Sequence, residues 1–469
     1  MADANTIYDL VVIGSGPGGY VGAIRAGQLG LRVALVEKDP YFGGTCLHRG
    51  CIPAKSLLQD AAIFHQTLHG LEHGVLADNV RLDFGKVQTR KDDIVKKLAR
   101  GVEFLLKKNK VETVRGFGRL VRPDLVEVQV PGGEPVQLRA KHVMLASGSV
   151  PKGLPGLEFD GERILHSDHA LALQSVPQSM VILGAGAVGV EFASAYSRFG
   201  CKVILIEMLE RVVPLEDADS SKELERALKK QKIEVHTGTR FESAQPVEGG
   251  LKITARTAKG QERTWEVEKL LVATGRRPFG DGMGYEEVGL KMDRGFVLVD
   301  DHMRTNLAGV FAIGDLVPTP GYAHTASAEG VLVAEQVAGK SVHPINYDLT
   351  PNCTFCDPEV ASVGLSEAKA RERGFDVKVG KFPLNVLGRV LILGASEGMV
   401  KIVADAKYGQ ILGVHIVGPY ATEFISEACM AITNEATVDE LLHMQHAHPT
   451  VHEGMKEAAE GVFGSPIHS

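Results

Sequence analysis

Residues 7–19 read Ile-Tyr-Asp-Leu-Val-Val-Ile-Gly-Ser-Gly-Pro-Gly-Gly, and residues 180–189 repeat the pattern as Met-Val-Ile-Leu-Gly-Ala-Gly-Ala-Val-Gly. In each stretch an apolar run typical of a buried strand enters Gly-x-Gly-x-x-Gly, and a helix and a second strand are predicted to follow. Glu37 and Glu207 end these second strands, each 18 residues beyond the third glycine. The elements repeat at an offset of 170 residues, so the chain is predicted to hold two βαβ nucleotide-binding motifs, each opening a doubly wound domain.

The glycines and the acid of each motif have separate tasks in binding a dinucleotide. One glycine allows a tight turn, one lets the backbone approach a pyrophosphate at the helix N-terminus, and one lets the helix pack on the strand. These glycines are Gly14, Gly16 and Gly19 in the first motif and Gly184, Gly186 and Gly189 in the second. Glu37 and Glu207 are placed to accept hydrogen bonds from a ribose. The Glu207 carboxylate would repel the 2′-phosphate of NADP, so the second motif favours NAD, although Arg211 is close.

The rest of the chain indicates further domains around these motifs. At roughly 150 residues per domain, 469 residues correspond to about three domains, and four are possible. Apolar spacing predicts a long amphipathic helix over 86–110, and alternation over 251–272 predicts antiparallel strands. Beyond about Tyr347, antiparallel strands at 398–404 and 410–417, followed by helix, indicate a separate α+β domain.

Composition and charge exclude several classes of function. The net charge of −7 argues against a nucleic-acid partner. The longest near-continuous apolar run, 180–190, is too short to cross a membrane. Residues 1–5 lack the basic start and apolar core of a signal peptide, so we expect a cytoplasmic location. Six cysteines in a chain of this length do not make a disulfide scaffold, and a cytosolic disulfide is more often catalytic than structural.

Residues 43–55 read Gly-Gly-Thr-Cys-Leu-His-Arg-Gly-Cys-Ile-Pro-Ala-Lys and directly follow the first motif. On a regular helix the Cα atoms of Cys46 and Cys51 would lie about 8–9 Å apart, beyond the roughly 7 Å that a disulfide allows. A disulfide therefore needs a distorted backbone, for which Gly50 and Pro53 are suited. A loop this short is comparatively easy to reduce, as a catalytic disulfide must be. The alternatives are two unlinked structural cysteines or part of a zinc site, although zinc needs about four ligands.

The pattern Gly-Gly-Thr-Cys-x4-Cys-x-Pro-x-Lys resembles the active-site signature of the pyridine nucleotide-disulfide oxidoreductases, and the resemblance extends along the whole chain. It implies Cys46 as the interchange thiol that meets the substrate and Cys51 as the thiol beside the flavin. The implied FAD residues are Gly14, Gly16, Gly19, Glu37, Lys55, Gly118, Asp315 and Ala323. The implied NAD residues are Gly184, Gly186, Gly189, Glu191, Glu207 and Gly275. Lys55 resembles the family's lysine near the flavin, which is paired with a glutamate that matches Glu191. The alternative for Glu191 is an acid near a helix N-terminus that the helix dipole favours, and both interpretations can hold together.

The resemblance also implies the α/β fold class and the domain plan. Two doubly wound Rossmann-type nucleotide-binding domains are expected, with a C-terminal α+β dimerisation domain. The expected ranges are 1–150 for the FAD-binding domain, 151–276 for the NAD-binding domain, 277–346 for a central domain that completes the FAD site, and 347–469 for the interface domain.

Residues 446–453 read His-Ala-His-Pro-Thr-Val-His-Glu and contain a candidate base. Thiol–disulfide exchange needs a thiolate attacker, so a dithiol substrate requires a base, and a histidine held by a carboxylate suits this role. In the resembling family this segment supplies His448 as the base and Glu453 as its orienting partner, and the histidine comes from the other subunit of an obligate homodimer. Thr450 and Glu453 also fit a capping box that opens the last helix, and both roles can coexist.

Other histidines and cysteines have simpler interpretations. A metal site built from the histidines of this region (His443, His446, His448 and His452) is an alternative, but Pro449 interrupts a shared helical face and no metal is predicted. His446 and His452 are expected to be surface or packing residues. Cys353 and Cys356 are spaced like a redox or zinc half-site, but with only two nearby cysteines we expect buried apolar thiols, as for Cys201 and Cys429.

The resemblance implies an enzyme that oxidises protein-bound dihydrolipoamide and passes electrons through the Cys46–Cys51 disulfide and FAD to NAD+. Its partners would be lipoyl-bearing domains of 2-oxo acid dehydrogenase or glycine cleavage complexes. The rivals are another NAD(P)H-dependent disulfide reductase of this family and a non-catalytic complex subunit. Glu207 disfavours an NADP enzyme, and the presence of the cysteine pair and His448 disfavours a non-catalytic subunit.

Overall fold

A computed structural model describes residues 6–468. The predicted lack of a signal peptide rests on residues 1–5, which lie outside the described residues. The described chain forms two compact units. Unit 1 comprises residues 6–54, 88–152 and 276–347, and unit 2 comprises residues 55–87, 153–275 and 348–468.

Helices and strands both occur throughout the described chain. The helices are α1 (Pro17–Gln28), α2 (Gly44–Arg49), α3 (Cys51–Leu68), α4 (Phe84–Lys108), α5 (Ser167–Leu171), α6 (Ala187–Arg198), α7 (Ala218–Lys230), α8 (Ala323–Val337), α9 (Glu367–Glu372), α10 (Gly388–Ile392), α11 (Ala421–Thr433), α12 (Val438–His443) and α13 (Glu453–Phe463). The strands are β1 (Ile7–Ile13), β2 (Val33–Glu37), β3 (Glu112–Arg115), β4 (Phe117–Arg122), β5 (Leu125–Gln129), β6 (Val136–Leu145), β7 (Ser149–Pro151), β8 (Ile164–Leu165), β9 (Ser179–Leu183), β10 (Lys202–Ile206), β11 (Glu234–His236), β12 (Thr239–Val247), β13 (Gly250–Thr257), β14 (Glu262–Val267), β15 (Lys269–Val272), β16 (Arg276–Pro278), β17 (Met292–Asp293), β18 (Phe296–Val297), β19 (Val310–Ala312), β20 (Asn352–Thr354), β21 (Glu359–Gly364), β22 (Val377–Pro383), β23 (Met399–Asp405) and β24 (Ile411–Gly418).

Unit 1 is built on a sheet in which β3, β2, β1, β6 and β19 run parallel, and β5 and β4 continue it antiparallel. Leu10 and Val12 of β1 pack into the core on one face, whereas Val11 and Ile13 pack into the core on the other. Burial on both faces explains why β1 reads as a nearly continuous apolar run. Because the strands are parallel, the residues that follow their carboxyl ends lie along one edge of the sheet.

Unit 2 contains a second parallel sheet, in the order β11-β10-β9-β15-β8, and an antiparallel sheet of β12, β13 and β14. A third sheet, β20-β21-β24-β23-β22, is antiparallel, and α11 and α13 pack on it. The hairpin of β23 and β24 confirms the predicted antiparallel pair beyond residue 397. The core between the third sheet and its helices includes Phe382, Ile402 and Phe424, which are almost completely buried.

The prediction of antiparallel strands over 251–272 is wrong for residues 269–272. β13 and β14 are antiparallel as predicted, but β15 pairs parallel with β9 and β8. Leu270, Leu271 and Val272 are all buried, which is typical of a central parallel strand with helices or loops on both faces. The predicted helix over 86–110 is present as α4. In residues 6–468, no helix has the length and apolar character needed to cross a membrane.

A buried ion cluster ties α7 to the third sheet within unit 2. The Lys401 side chain is 2% exposed, and its Nζ lies 2.8 Å from Asp217 Oδ1, 2.7 Å from Asp219 Oδ2 and 2.9 Å from Glu367 Oε2. Burial opposes the charge on Lys401, but the hydrogen bonds to these carboxylates outweigh it and raise the pKa of the lysine. Since a buried charge is tolerated only when it is paired, the cluster fixes α7 on β23.

Candidate active site

The first glycine-rich turn lies at the carboxyl end of β1, as the sequence predicts. Gly14 has a φ of +101°, a conformation that favours glycine. A Cβ on Gly19 would lie 1.9 Å from the Gly14 carbonyl oxygen, so only glycine lets α1 pack this close to the turn. The second turn repeats both features, with φ +96° at Gly184 and a distance of 1.8 Å for a Cβ on Gly189.

The two predicted ribose-binding acids accept equivalent backbone hydrogen bonds in both motifs. Glu37 Oε2 accepts from the backbone N–H of Ser15 at 2.9 Å, and its Oε1 accepts from the N–H of Asp39 at 2.9 Å. Glu207 Oε2 accepts from the N–H of Ala185 at 2.7 Å, and its Oε1 accepts from the N–H of Leu209 at 2.9 Å. Each carboxylate is therefore fixed against its own glycine-rich turn.

Both helix N-termini fit a dinucleotide pyrophosphate. α1 and α6 begin after Gly16 and Gly186, with no side-chain cap and no acidic residue in the first turn. A Cβ on either glycine would meet no atom within 4 Å, so the approach to the helix end is open. Backbone N–H groups at such an end, together with the helix dipole, favour a bound anion. These observations agree with one dinucleotide in each motif.

The other predicted FAD residues of unit 1 lie near the same sheet edge or at the start of α8. Gly118 of β4 packs on β1 and β2, because a Cβ there would lie 3.1 Å from Ile13 Cγ2 and 3.0 Å from Val36 Cγ1. Asp315 follows β19 and accepts a hydrogen bond from Ser149 Oγ. Ala323 is the first residue of α8, the helix that packs on α1. In unit 2 Gly275 follows β15, with a φ of +117° and open space where a Cβ would lie.

Cys46 and Cys51 form a disulfide with a Cα–Cα distance of 4.7 Å. The distance is short because the helix is interrupted. α2 ends at Arg49, Gly50 takes non-helical dihedral angles of −146° and −109°, and α3 begins at Cys51. Pro53 does not distort the backbone but lies in the first turn of α3, where its missing N–H has no helical partner to lose.

The disulfide segment is built directly on the first glycine-rich turn. The N–H of Gly43 donates to Ser15 O at 3.0 Å and to Ser15 Oγ at 3.1 Å. A Cβ on Gly44, the first residue of α2, would lie 2.5 Å from Gly16 Cα. The cysteine pair is therefore attached to the first glycine-rich turn, within unit 1.

His48 and Arg49, between the two cysteines, are held by local contacts of unit 1. His48 Nε2 lies 2.8 Å from Phe42 O, and its ring stacks on Tyr41 at 5.8 Å. Arg49 forms an ion pair with Asp39. Both side chains are thus engaged with the segment that follows β2.

Lys55, four residues after Cys51 on α3, pairs with Glu191 of α6. Its Nζ lies 2.8 Å from each carboxylate oxygen. Glu191 is the fifth residue of α6 and lies beyond the first turn. The helix dipole favours acids mainly within the first turn, so the dipole alone does not explain Glu191. Phe355 completes the arrangement: its N–H donates to Glu191 Oε1 at 2.9 Å, and its ring lies 4.5 Å from Lys55 Nζ. No local sequence signal marks Phe355, because its partners are far away in the chain.

The predicted base has the predicted partner in unit 2. His448 Nδ1 lies 2.7 Å from Glu453 Oε1, and the His448 side chain is 79% exposed. Because a carboxylate only accepts, Nδ1 donates and Nε2 is left to accept a proton. Glu453 Oε2 also accepts from the N–H of Thr450 at 2.9 Å, so Glu453 serves both the histidine and the backbone. The reciprocal capping box is not formed, since Thr450 Oγ1 donates to Ala447 O.

The neighbouring histidines do not converge with His448. His446 Nε2 and His452 Nδ1 both hydrogen-bond to Glu427 of α11, a residue that sequence analysis did not single out. The prediction that these are surface or packing residues agrees with the structure, since the His446 side chain is only 3% exposed and His452 packs on Phe424. Both histidines are in addition polar partners of one carboxylate.

The other four cysteines are free, but only two of them are buried as predicted. Cys201 and Cys356 are buried, whereas Cys353 and Cys429 are half-buried. Burial raises the pKa of Cys201 and of Cys353 to about 12, and it also raises the pKa of Cys356. These thiols are therefore protonated and poorly reactive at neutral pH.

Comparison with known proteins agrees with this site. The family model described as pyridine nucleotide-disulphide oxidoreductase matches residues 8–330, and the model of that family's dimerisation domain matches residues 350–459. The chain is 42% identical to a dihydrolipoyl dehydrogenase of Bacillus subtilis, over 99% of each chain, and 41% identical to a mitochondrial dihydrolipoyl dehydrogenase of Pisum sativum, over 98% of this chain and 92% of the relative. The crystal structure of LpdA from Mycobacterium tuberculosis is similar at a TM-score of 0.88 and 26% identity, covering 96% of this chain and 99% of that one.

These matches confirm the predicted fold class, with its C-terminal dimerisation domain, and the predicted FAD and NAD cofactors. The predicted domain ranges and the role of each site residue stay predictions. Because the two family models together cover most of its length, the chain belongs to the pyridine nucleotide-disulphide oxidoreductase family.

Proposed function

We propose that this chain oxidises the dihydrolipoyl group of a carrier protein to lipoyl, with NAD+ as the final electron acceptor. The observation that carries the proposal is the Cys46–Cys51 disulfide, because its segment is built on the first glycine-rich turn through Gly43 and Gly44. Relatives named dihydrolipoyl dehydrogenase, similar over nearly the whole chain, support this substrate class over the other disulfide reductases.

The first motif would hold FAD and the second would hold NAD. Gly16 and Glu37 would bind the pyrophosphate and the adenosine ribose of FAD, with Gly14, Gly19, Gly118, Asp315 and Ala323 shaping the site and Lys55 placed near the flavin. When bound, FAD would supply two-electron transfer between the cysteine couple and the nicotinamide. Gly186 and Glu207 would bind NAD, with Gly184, Gly189 and Gly275 shaping that site and Glu191 holding Lys55.

Glu207 supports NAD over NADP. Its buried carboxylate is fixed by two backbone N–H groups and would face the ribose, where a 2′-phosphate would be repelled. Arg211, the nearest cation along the chain, donates to Pro214 O at 3.1 Å. It is therefore already engaged in holding the loop that follows β10.

The chain's own residues then carry out the thiol chemistry. His448 Nε2 takes a proton from one substrate thiol, and the resulting thiolate attacks Cys46 Sγ. The Cys46–Cys51 bond breaks, Cys51 leaves as a thiolate, and a mixed disulfide joins the substrate to Cys46. The second substrate thiol, once deprotonated, attacks the mixed disulfide, closes the lipoyl ring and releases Cys46. Glu453 holds His448 in the tautomer that this proton transfer requires.

The assembly part of the proposal is a cytoplasmic homodimer in which His448 of one copy serves the disulfide of the other. The match of residues 350–459 to the family's dimerisation domain supports the dimer. The carriers would be lipoyl-bearing domains of 2-oxo acid dehydrogenase or glycine cleavage complexes. A substrate tethered to a carrier protein agrees with the open position of His448, whose side chain is mostly exposed.

A paired assay tests the proposed function. We expect the purified, FAD-loaded protein to reduce NAD+ with dihydrolipoamide and to show little oxidation of NADPH by glutathione disulfide. Glutathione-dependent NADPH oxidation without NAD+ reduction by dihydrolipoamide would assign the chain to a different reductase of the family.

A further inference from the structure

One carboxylate in unit 2 holds the two histidines that flank His448 in the chain. Glu427 Oε1 lies 2.9 Å from His446 Nε2, and Glu427 Oε2 lies 3.0 Å from His452 Nδ1. His446 precedes His448 by two residues, and His452 follows it by four. Both ends of the segment 446–452, which connects α12 to α13, are therefore attached to the same side chain of α11.

The attachment is specific and largely shielded from water. The Glu427 side chain is 14% exposed and the His446 side chain 3% exposed. His446 Nδ1 has no hydrogen-bond partner among residues 6–468. Within that range the ring therefore forms its hydrogen bond through Nε2, to Glu427. His452 also packs on Phe424, one turn before Glu427 on α11, with ring centres 4.8 Å apart.

The electrostatics favour a charged Glu427 at neutral pH. Burial opposes ionisation of the carboxyl group, but the hydrogen bonds from His446 and His452 outweigh it, so the pKa of Glu427 is lowered. A carboxylate only accepts hydrogen bonds, so each ring donates one N–H to it. Hydrogen bonds to an ionised acceptor are about twice as strong as neutral ones. The carboxylate therefore holds both rings at once.

We infer that Glu427, His446 and His452 form a bracket that fixes the segment carrying His448 and so positions this base for the dithiol. The inference rests on the proposed function, but it concerns residues that would not touch the substrate. Proton transfer requires the base within hydrogen-bond reach of the thiol, and a displacement of about 1 Å can lower a rate by about a hundredfold. His448 itself is mostly exposed, and within residues 6–468 the hydrogen-bond partner of its ring is Glu453, so its position depends on how the segment around it is held.

Variants of Glu427 give a graded test. Glu427→Gln keeps one acceptor oxygen and one of the two attachments, whereas Glu427→Ala removes both. We expect kcat for dihydrolipoamide oxidation to fall about threefold in the first and about tenfold or more in the second, with KM little changed. The oxidation of NADH by an artificial electron acceptor does not need the thiol base and should stay within about twofold of wild type.

Three further measurements separate positioning from general damage. Glu423→Ala, an exposed acid one turn earlier on α11, is the matched control and should leave both activities unchanged. His452→Ala removes one attachment from a half-exposed site and tests the bracket even if Glu427→Ala does not fold. Amide hydrogen exchange should become faster in peptides covering 444–453 in the Glu427 and His452 variants but not in Glu423→Ala.

The outcomes are distinguishable from those of the proposed function. If wild type does not oxidise dihydrolipoamide, the proposed function fails, and the bracket loses the reaction it is meant to serve. If wild type is active but Glu427→Gln and His452→Ala keep full kcat and unchanged exchange at 444–453, the bracket alone is wrong. Parallel loss of both activities would show that Glu427 only stabilises the fold, and this would also overturn the inference.

Discussion

Single residues distinguish the two dinucleotide motifs where the glycine pattern does not. Glu37 and Glu207 accept equivalent backbone hydrogen bonds from the turn beside them, so neither acid alone identifies its cofactor. Ser15 breaks this equivalence: its Oγ donates to Glu37 at 2.6 Å and accepts from the N–H of Gly43, where the cysteine segment begins. The second motif has Ala185 at the matching position, which offers no such side-chain link.

At the residue scale, we expect Glu207→Ala to weaken the preference for NAD. Removal of the buried carboxylate relieves the repulsion of a 2′-phosphate, and a charge pair about 4 Å apart contributes roughly 1–4 kcal/mol. The ratio of kcat/KM for NAD+ over NADP+ should therefore fall about tenfold or more. Glu210→Ala, an exposed acid three residues later, is the control. An unchanged ratio in Glu207→Ala would remove this residue as the determinant.

At the scale of elements, helix ends position the groups of the proposed site. α1 and α6 offer uncapped N-termini, and the break at Gly50 between α2 and α3 brings the cysteines together. Each feature depends on a glycine. A side chain on Gly16 or Gly186 would occupy the open space before the helix, and a Cβ on Gly50 would lie 3.1 Å from the carbonyl oxygen of Thr45.

The glycine before α6 gives a prediction about an element end. In Gly186→Ala the new Cβ would meet no protein atom within 4 Å, so the thermal unfolding temperature and FAD content should match wild type. The methyl group would lie where a pyrophosphate approaches, and KM for NAD+ should rise about tenfold, equivalent to roughly 1.4 kcal/mol. Gly101→Ala, in open space on α4, should leave KM unchanged. Wild-type KM in Gly186→Ala would place the nucleotide elsewhere.

The buried cluster between α7 and β23 gives a stability prediction. Lys401→Met leaves the buried Asp217 without its lysine and removes one of the cations that pair with Asp219 and Glu367, which should lower the free energy of unfolding by about 3–5 kcal/mol at pH 7. The midpoint of urea unfolding measures this loss, with Lys252→Met on the exposed side of β13 as the control.

The cluster's pH dependence follows from the pKa directions. Burial opposes ionisation of Asp217 and Asp219. The bond from Lys401 lowers the pKa of Asp217, the bonds from Lys381 and Lys401 lower the pKa of Asp219, and the bond from Lys401 lowers the pKa of Glu367. A lowered pKa adds stability that is present above the ordinary carboxyl range and is lost as the pH falls through the lowered value. The difference between Lys401→Met and wild type should therefore shrink below about pH 4. A constant difference down to pH 2 would contradict the ion-pair explanation.

The elements that could be predicted from sequence are those whose signal is local. The position of β1 agrees with the sequence analysis, since an apolar run and a glycine-rich turn mark it. The pairing of β15 could not be derived from alternation, because the partner of a strand is set by tertiary structure. The same reason explains why Glu427 and Phe355 were missed, whereas His448 and Glu453, five residues apart, were found.

At the scale of the whole molecule, the two groups to which we assign the proposed thiol chemistry belong to different units. The disulfide belongs to unit 1, and the His448–Glu453 pair belongs to unit 2. A dimer in which each copy lends its base to the other would explain why the chain carries a dimerisation domain at residues 350–459.

Subunit complementation tests this exchange of residues. Cys46→Ser and His448→Ala homodimers should each be nearly inactive with dihydrolipoamide. After unfolding and refolding as an equal mixture, half of the dimers are mixed, and each mixed dimer has one intact disulfide served by one intact base from the other copy. About one quarter of wild-type activity should therefore return. No recovery, despite mixed dimers detected by differential tagging, would mean that His448 serves its own chain.

Alkylation after reduction tests most directly whether electrons enter through the cysteine pair. The oxidised enzyme is treated anaerobically with dihydrolipoamide in the absence of NAD+, alkylated, and digested for mass spectrometry. We expect Cys46 and Cys51 to become labelled, Cys201, Cys353, Cys356 and Cys429 to stay as in the untreated enzyme, and NAD+ added before alkylation to reverse the labelling. An enzyme that reduces NAD+ with dihydrolipoamide while Cys46 and Cys51 remain unlabelled would contradict the proposed electron route.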